Sequence, residues 1–373
     1  MCPDSLEAKD IALSRRKPGF KSRSGHSKGY ISKGFYIITY ILYDMKAWVL
    51  SKNGIDNLNL KEIQKPEVKE GQVLVKVKAL GLNPVDSMVI DSIPVNAEKI
   101  PGAEFAGEIE EVGQGVKELK KGDRVSIYNR YFDGTCSYCK SGNEMLCDNG
   151  YIFSIGSNGG LAEYIAVDQK NAFKLPASVD FELAASLPVA ALTSYNALER
   201  AKVQKNEFVV VVGASGNTGI FALQFAKILG AKTIAVSSKD WVKDFGADYV
   251  VGYENALEEV RKITNSKMAD AVVESIGEKF WDLGYSLLGK NGRMVAFGTE
   301  TGSNAKIDIS QLYSKQLSIL GSTGGSVRQF SEVVKNSKDL KVKVWKKFSL
   351  QEAKDAFKEN NSKEKNGRVI IEL

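Results

Sequence analysis

The sequence predicts an α/β protein in which a β-rich first part gives way to a doubly wound parallel sheet. Three observations predict it. From Met45 to about Tyr164, short alternating runs such as Val73–Val77 and Glu108–Val112 are broken by Gly and Pro, the pattern of half-buried strands. From about Leu192 to Leu320, apolar runs alternate with helical stretches, as a parallel sheet covered by crossover helices requires. One of those runs, Phe208–Val212, leads directly into Gly213, Gly216 and Gly219 and then into an amphipathic helix. A chain of 373 residues is long enough for two such domains with sizeable cores.

Residues 1–29 are polar, basic and rich in Ser and Gly, and residues 30–43 (YISKGFYIITYILY) are apolar and aromatic. Residues 1–44 hold eight Lys or Arg and four acids, so +4 of the net charge of +6 sits there and +2 on all the rest. The body is therefore near neutral, and nothing in it reads as a nucleic-acid face. No apolar run reaches the roughly 18 residues of a membrane span. A basic stretch followed by an apolar one loosely matches a secretory signal, but no small-residue cleavage pattern follows it. A cytoplasmic location is expected, with residues 1–44 a poorly ordered extension.

The alternating strand MKAWVL begins at Met45. Domain boundaries are expected at 45–191 for the β-rich part, 192–320 for the doubly wound part, and 321–373 for a return to the first. The expected strands of the second part are Phe208–Val212, Thr233–Val236, Tyr249–Val251, Ala271–Glu274 and Arg293–Phe297. The chain ends in the strand Arg368–Glu372. The one histidine is His26, so residues 45–373 offer no imidazole as ligand, base or proton shuttle.

In VVVVGASGNTGIFALQFAKILGA, residues 209–231, Gly213 permits a tight turn. Gly216 lets a pyrophosphate approach the backbone, and Gly219 lets helix pack on strand. The loop Gly213, Ala214, Ser215, Gly216, Asn217, Thr218 and Gly219 thus presents free N–H groups and the positive end of a helix to an anion. At the end of the next strand an acid would bind the 2′-hydroxyl of NAD. Here TIAV runs into Ser237, Ser238 and Lys239, which suit the 2′-phosphate of NADP(H) or form a solvated turn. The helix after them reads as short, because Gly246 follows closely.

In FDGTCSYCKSGNEMLC the thiols Cys136, Cys139 and Cys147 lie together, and Asp133 stands three residues before the first. Zinc in structural sites takes four tetrahedral ligands, and a CxxC turn supplies adjacent corners. The segment reads as one structural Zn2+ held by Asp133, Cys136, Cys139 and Cys147, or as three free thiols.

These motifs, with GLNPVD at 81–86, PGAEFAG at 101–107, VGQGV at 112–116, KGDRV at 121–125, LTSY at 192–195, NGRMVAFG at 291–298 and GSTGGSVRQF at 321–330, resemble the medium-chain dehydrogenase/reductase family from Met45 to Leu373. The resemblance implies a GroES-like β-barrel domain around a Rossmann domain, with the active site in the cleft between them and Gly298 at the cofactor. The family's structural zinc lobe uses four cysteines, so Asp133 at the first is a departure.

In the zinc alcohol dehydrogenases of the family a Cys-His-Cys set holds a catalytic metal. The matching positions here are Asn83, Ala103 and Val189, and the proton-relaying serine matches Val85. Glu104 remains, but one carboxylate makes no zinc site. The segment Asn83-Pro84-Val85-Asp86 instead resembles the zinc-independent quinone and enone reductases of the family. Asn83 is read as an amide donor to a substrate carbonyl or as a loop cap, and Asp86 as a residue that orders the loop. Thr193 lies behind the nicotinamide or simply packs there. Asn129, four residues before Asp133, is expected to line the cleft, while its neighbours Tyr128 and Arg130 read as surface.

The leading expectation is an NADPH-dependent oxidoreductase that delivers hydride to a small-molecule carbonyl or quinone substrate, an α,β-unsaturated carbonyl above all, without catalytic zinc. A zinc-type alcohol dehydrogenase and a non-catalytic NADP(H)-binding sensor or scaffold are the alternatives. The apolar strand Leu317–Leu320 is expected to pair across a homodimer or within a homotetramer, and no nucleic-acid or membrane partner is expected.

Overall fold

A computed structural model describes residues 45–373, which all fall in one compact unit. The expected extension, residues 1–44, lies outside the described residues.

A six-stranded parallel sheet forms the second part. Its order is Tyr249–Val251, Lys232–Val236, Phe208–Val212, Ala269–Glu274, Leu288–Ala296 and Ser318–Gly321. The chain winds outward in both directions from Phe208–Val212, so the gap between that strand and Ala269–Glu274 is the switch point where α/β sheets bind ligands. The run of valines is explained by burial on both faces. Val209 and Val211 pack into one apolar cluster with Phe221 and Phe225 of the helix Gly219–Ile228. Val210 and Val212 point the other way, into a cluster with Trp281 and Leu288. The helix stops at Gly230, whose φ of 79° suits the residue after a helix end.

A seven-stranded, mostly antiparallel sheet forms the first part. Its path is Val344–Ser349, Arg368–Glu372, Gln72–Gly81, Phe105–Val112, Arg124–Ile127 and Ala172–Lys174, with Tyr164–Asp168 also paired to Gln72–Gly81. The last strand of the chain thus lies beside an early one, with Ile371 opposite Leu80. That pairing delivers Arg368 to the end of Gln72–Gly81, next to the GLNPVD loop. The architecture is the GroES-like and Rossmann combination that the motifs imply. No helix of the described residues is long and apolar enough to cross a membrane.

Candidate functional site

The glycine-rich loop leaves the carboxyl end of Phe208–Val212 at the switch point. Gly213 has φ 79°, and its carbonyl accepts from Gly216 N–H at 2.9 Å. A Cβ on Gly219 would overlap that same carbonyl, so helix and strand pack here only through glycine. A Cβ on Gly298 would likewise overlap the carbonyl of Ser275 at the ends of two neighbouring strands. Ala214 is buried, while Gly216 is exposed and Ser215, Asn217 and Thr218 are partly exposed. These features fit a dinucleotide whose pyrophosphate rests on the start of the ten-residue helix Gly219–Ile228. Ser237 is buried, and its hydroxyl accepts from Lys239 N–H at 3.0 Å. Ser238 is exposed and Lys239 partly so. The segment after them is a short 3-10 helix, Asp240–Phe245.

Facing this loop is a buried polar network drawn from five parts of the chain. Asn83 stands at the start of the helix Pro84–Asp91 and is 2% exposed. Its Nδ2 donates to the carbonyl of Gly81 at 3.2 Å and to Glu104 Oε2 at 2.8 Å. Its Oδ1 accepts from Arg368 at 3.3 Å and from Asn217 Nδ2 at 3.4 Å. Asn217, in the glycine-rich loop, also donates to the carbonyl of Leu82 at 2.9 Å. Arg368 and Glu104, both fully buried in their side chains, form an ion pair. The other oxygen of Glu104 accepts from the N–H groups of Val189 and Ala190 at 2.6 and 2.9 Å. Those donors lie in the first turn of the π-helix Leu187–Ala191, where N–H groups have no partner inside the helix. Asp86 accepts from Asn83 N–H at 2.8 Å and from Ala103 N–H at 2.9 Å, which joins the 81–86 and 101–105 loops. Burial pushes its carboxyl up to about 6, against the pull of those two hydrogen bonds and of nearby Arg368.

This network changes the reading of Asn83. Both of its amide hydrogens are engaged inside the protein, so it is not a free donor for a substrate. It holds the loop, the second of the two roles that the sequence left open. Nor do the residues fit a catalytic metal. Two of the three positions, Ala103 and Val189, carry no donor atom in the side chain. The oxygens of Asn83 and Glu104 are already accepting from Arg368, Asn217, Asn83 and two backbone N–H groups.

Asn129 is 5% exposed, and its side chain makes no hydrogen bond among the described residues. Thr193, second residue of the helix Leu192–Arg200, is partly buried and likewise makes no side-chain hydrogen bond there. Tyr128 is not surface: it is fully buried, and its hydroxyl donates to the carbonyl of Gly325 at 2.8 Å. Arg130 is half-buried, tied to the carbonyl of Met145 and the hydroxyl of Thr323. Sequence reasoning missed Arg368 altogether, although an arginine inside the apolar strand RVIIE signals a buried partner.

In the lobe, one ligand atom each from Asp133, Cys136, Cys139 and Cys147 lies within 4.8 Å of all the others. That spacing, with three sulfurs and one carboxylate oxygen, fits a tetrahedral zinc. The N–H of Thr135 and the amide of Asn149 hold the Asp133 carboxyl far below the usual carboxylate range, so it is ionised as a ligand must be. Cys136 caps the short helix Ser137–Lys140 and thereby turns the CxxC segment onto itself.

Two family models match the chain: the alcohol dehydrogenase GroES-like domain over residues 69–177 and the zinc-binding dehydrogenase over residues 218–339. The chain is 35% identical to an NAD-dependent alcohol dehydrogenase of Sulfolobus acidocaldarius, over 88% of this chain and 100% of that protein. It is 29% identical to an acryloyl-coenzyme A reductase of Sulfurisphaera tokodaii, over 84% of this chain and 95% of that protein. A solved structure of a cobalt- and zinc-bound thermostable alcohol dehydrogenase from Pyrobaculum aerophilum superposes with a TM-score of 0.82 at 36% identity, covering 88% of this chain and 99% of the other.

Proposed function

The chain belongs to the medium-chain dehydrogenase/reductase superfamily of oxidoreductases, and from that premise we propose that it reduces an α,β-unsaturated carbonyl compound or a quinone with NADPH. The observation that carries this reading is the closed network of Asn83, Glu104 and Arg368 at the positions where metal ligands would stand. A nicotinamide cofactor bound at the glycine-rich loop supplies the hydride. The acceptor's developing negative charge must then be stabilised by what the cleft offers. Residues 45–373 hold no imidazole, and the residues do not fit a metal there. The unpartnered amide of Asn129 is left as the hydrogen-bond donor to the substrate's carbonyl oxygen. One such donor suits an acceptor that spreads charge through conjugation. It suits a simple aldehyde or ketone poorly, because an alkoxide concentrates charge on one oxygen. The similarity to acryloyl-coenzyme A reductases adds enoyl thioesters to the conjugated acceptors.

The experiment is an NADPH-oxidation screen against quinones, enones, enoyl thioesters and aldehydes. Turnover is expected with the conjugated acceptors, and it should persist after chelation of any cleft metal. Ethanol and benzyl alcohol are expected to be very poor substrates in reverse. Robust, chelator-sensitive oxidation of either alcohol would overturn the reading in favour of a zinc-type alcohol dehydrogenase.

The preference for NADPH rests on the absence of a carboxylate at the end of Lys232–Val236 and on Ser237, Ser238 and Lys239 there. An exposed phosphate pairing of this kind is worth ~1–3 kcal/mol, or ~5–150-fold in affinity. Lys239→Asp is expected to narrow or reverse the preference in a fluorescence titration with both cofactors. Equal affinity of the unmodified protein for NADH and NADPH would refute it.

The helix Ile309–Ser314, which leads into the edge strand Ser318–Gly321, carries Ile309 and Tyr313, which are 72% and 74% exposed. We read this edge as the contact surface of a homodimer or homotetramer. Sedimentation equilibrium of the full chain is expected to give an oligomer, and a monomer at micromolar concentration would refute the reading.

A further inference from the structure

Ser154 departs from two ordinary rules at once. Its φ is 78°, in the left-handed region that glycine enters freely and other residues rarely do. It is fully buried, yet its hydroxyl has no partner among the described residues. It sits in a turn where the N–H groups of Ile155 and Gly156 both donate to the carbonyl of Ile152 at 3.0 Å. Glycine at this position would make the same turn without strain and would bury no lone hydroxyl. Strain kept against an easy remedy points to a function.

The neighbourhood indicates which one. The strand Tyr151–Ile152 pairs with Arg130–Tyr131, and the N–H of Phe153 donates to the carbonyl of Asn129 at 3.0 Å. Ser154 therefore follows directly on the residue that clamps the backbone of Asn129. The Oδ1 of Asn129 is itself buried and without a partner. A donor lacking an acceptor and an acceptor lacking a donor thus lie on adjoining segments.

We propose that Ser154 is a positioning residue for Asn129: in the ternary complex its hydroxyl donates to Asn129 Oδ1, which fixes the amide plane and aims the Nδ2 hydrogens at the substrate's carbonyl oxygen. The proposal rests on the donor role given to Asn129 above. It makes Ser154 a residue whose replacement by glycine improves the fold and harms the reaction.

The test uses the full chain, NADPH and the electrophile that the unmodified protein reduces fastest in the screen. Ser154→Gly is expected to raise the melting temperature, leave KM for NADPH unchanged and lower kcat about tenfold, since one donor is misaimed and not lost. Asn129→Ala should lower kcat further, and the double variant should be no slower than Asn129→Ala alone, because the hydroxyl acts only through the amide. Wild-type kcat in Ser154→Gly, losses that multiply in the double variant, or a lower melting temperature for Ser154→Gly would each overturn this proposal alone. Absence of turnover by the unmodified protein with every electrophile would overturn the reductase reading and this one together.

Discussion

Glu104→Ala is expected to destabilise the protein by about 3–5 kcal/mol, the cost of breaking a buried ion pair from one side. The variant leaves the guanidinium of Arg368, itself 1% exposed, without its counter-charge. It also strips the acceptor from the N–H groups of Val189 and Ala190 and from one amide hydrogen of Asn83. Glu104→Gln keeps an acceptor oxygen in place but not the charge, so its loss should fall between the two. Urea unfolding followed by fluorescence reads both. A change below about 1 kcal/mol for Glu104→Ala would mean that the pair is a bystander, since that is the scale of an exposed one.

Cys139→Ser is expected to cost the lobe its metal and to lower the melting temperature by on the order of 10 °C. Elemental analysis of the unmodified protein should give one zinc per chain, and none in the variant. The effect should spread, because the lobe is tied to the segment that returns from the parallel sheet. Arg130 reaches both Met145 and Thr323, and Glu144 accepts from Val327 N–H at 3.1 Å. That segment also holds Tyr128 through the carbonyl of Gly325. The fraction that stays folded should still transfer hydride, since the lobe's ligands and the glycine-rich loop lie in separate parts of the chain. Unmodified protein without zinc would count directly against the lobe assignment.

Much of this architecture could be read along the chain because its determinants are local. Val209–Val212 must be apolar throughout, since the strand is covered on both faces. Gly213 and Gly219 are required by a turn and a contact within one motif, and the cysteines declare themselves by spacing. What escaped the sequence is held together by pairs far apart in it. Arg368 and Glu104 are separated by 264 positions, and Asn217 and Leu82 by 135. No periodicity links such residues. Asn83 therefore kept two readings along the sequence, substrate donor or loop cap, because its partners are supplied by remote strands and loops. Tyr128 read as surface for the same reason, because the carbonyl that takes its hydroxyl hydrogen lies almost two hundred residues on.

The arrangement around Glu104 also bears on which substitutions this chain can accept. Putting a cysteine at Asn83 would leave Glu104 and the carbonyl of Gly81 each short of a donor, and Arg368 and Asn217 short of an acceptor. The cost would fall on the fold at once, while one thiol alone would hold no metal. A histidine at Ala103 would have to enter a position with no exposed surface. Each single substitution toward a metal-binding set is thus a loss with no immediate gain, and only several together would make one. The network thus resists piecemeal replacement: each of its members is held in place by the polar groups it would leave unpaired.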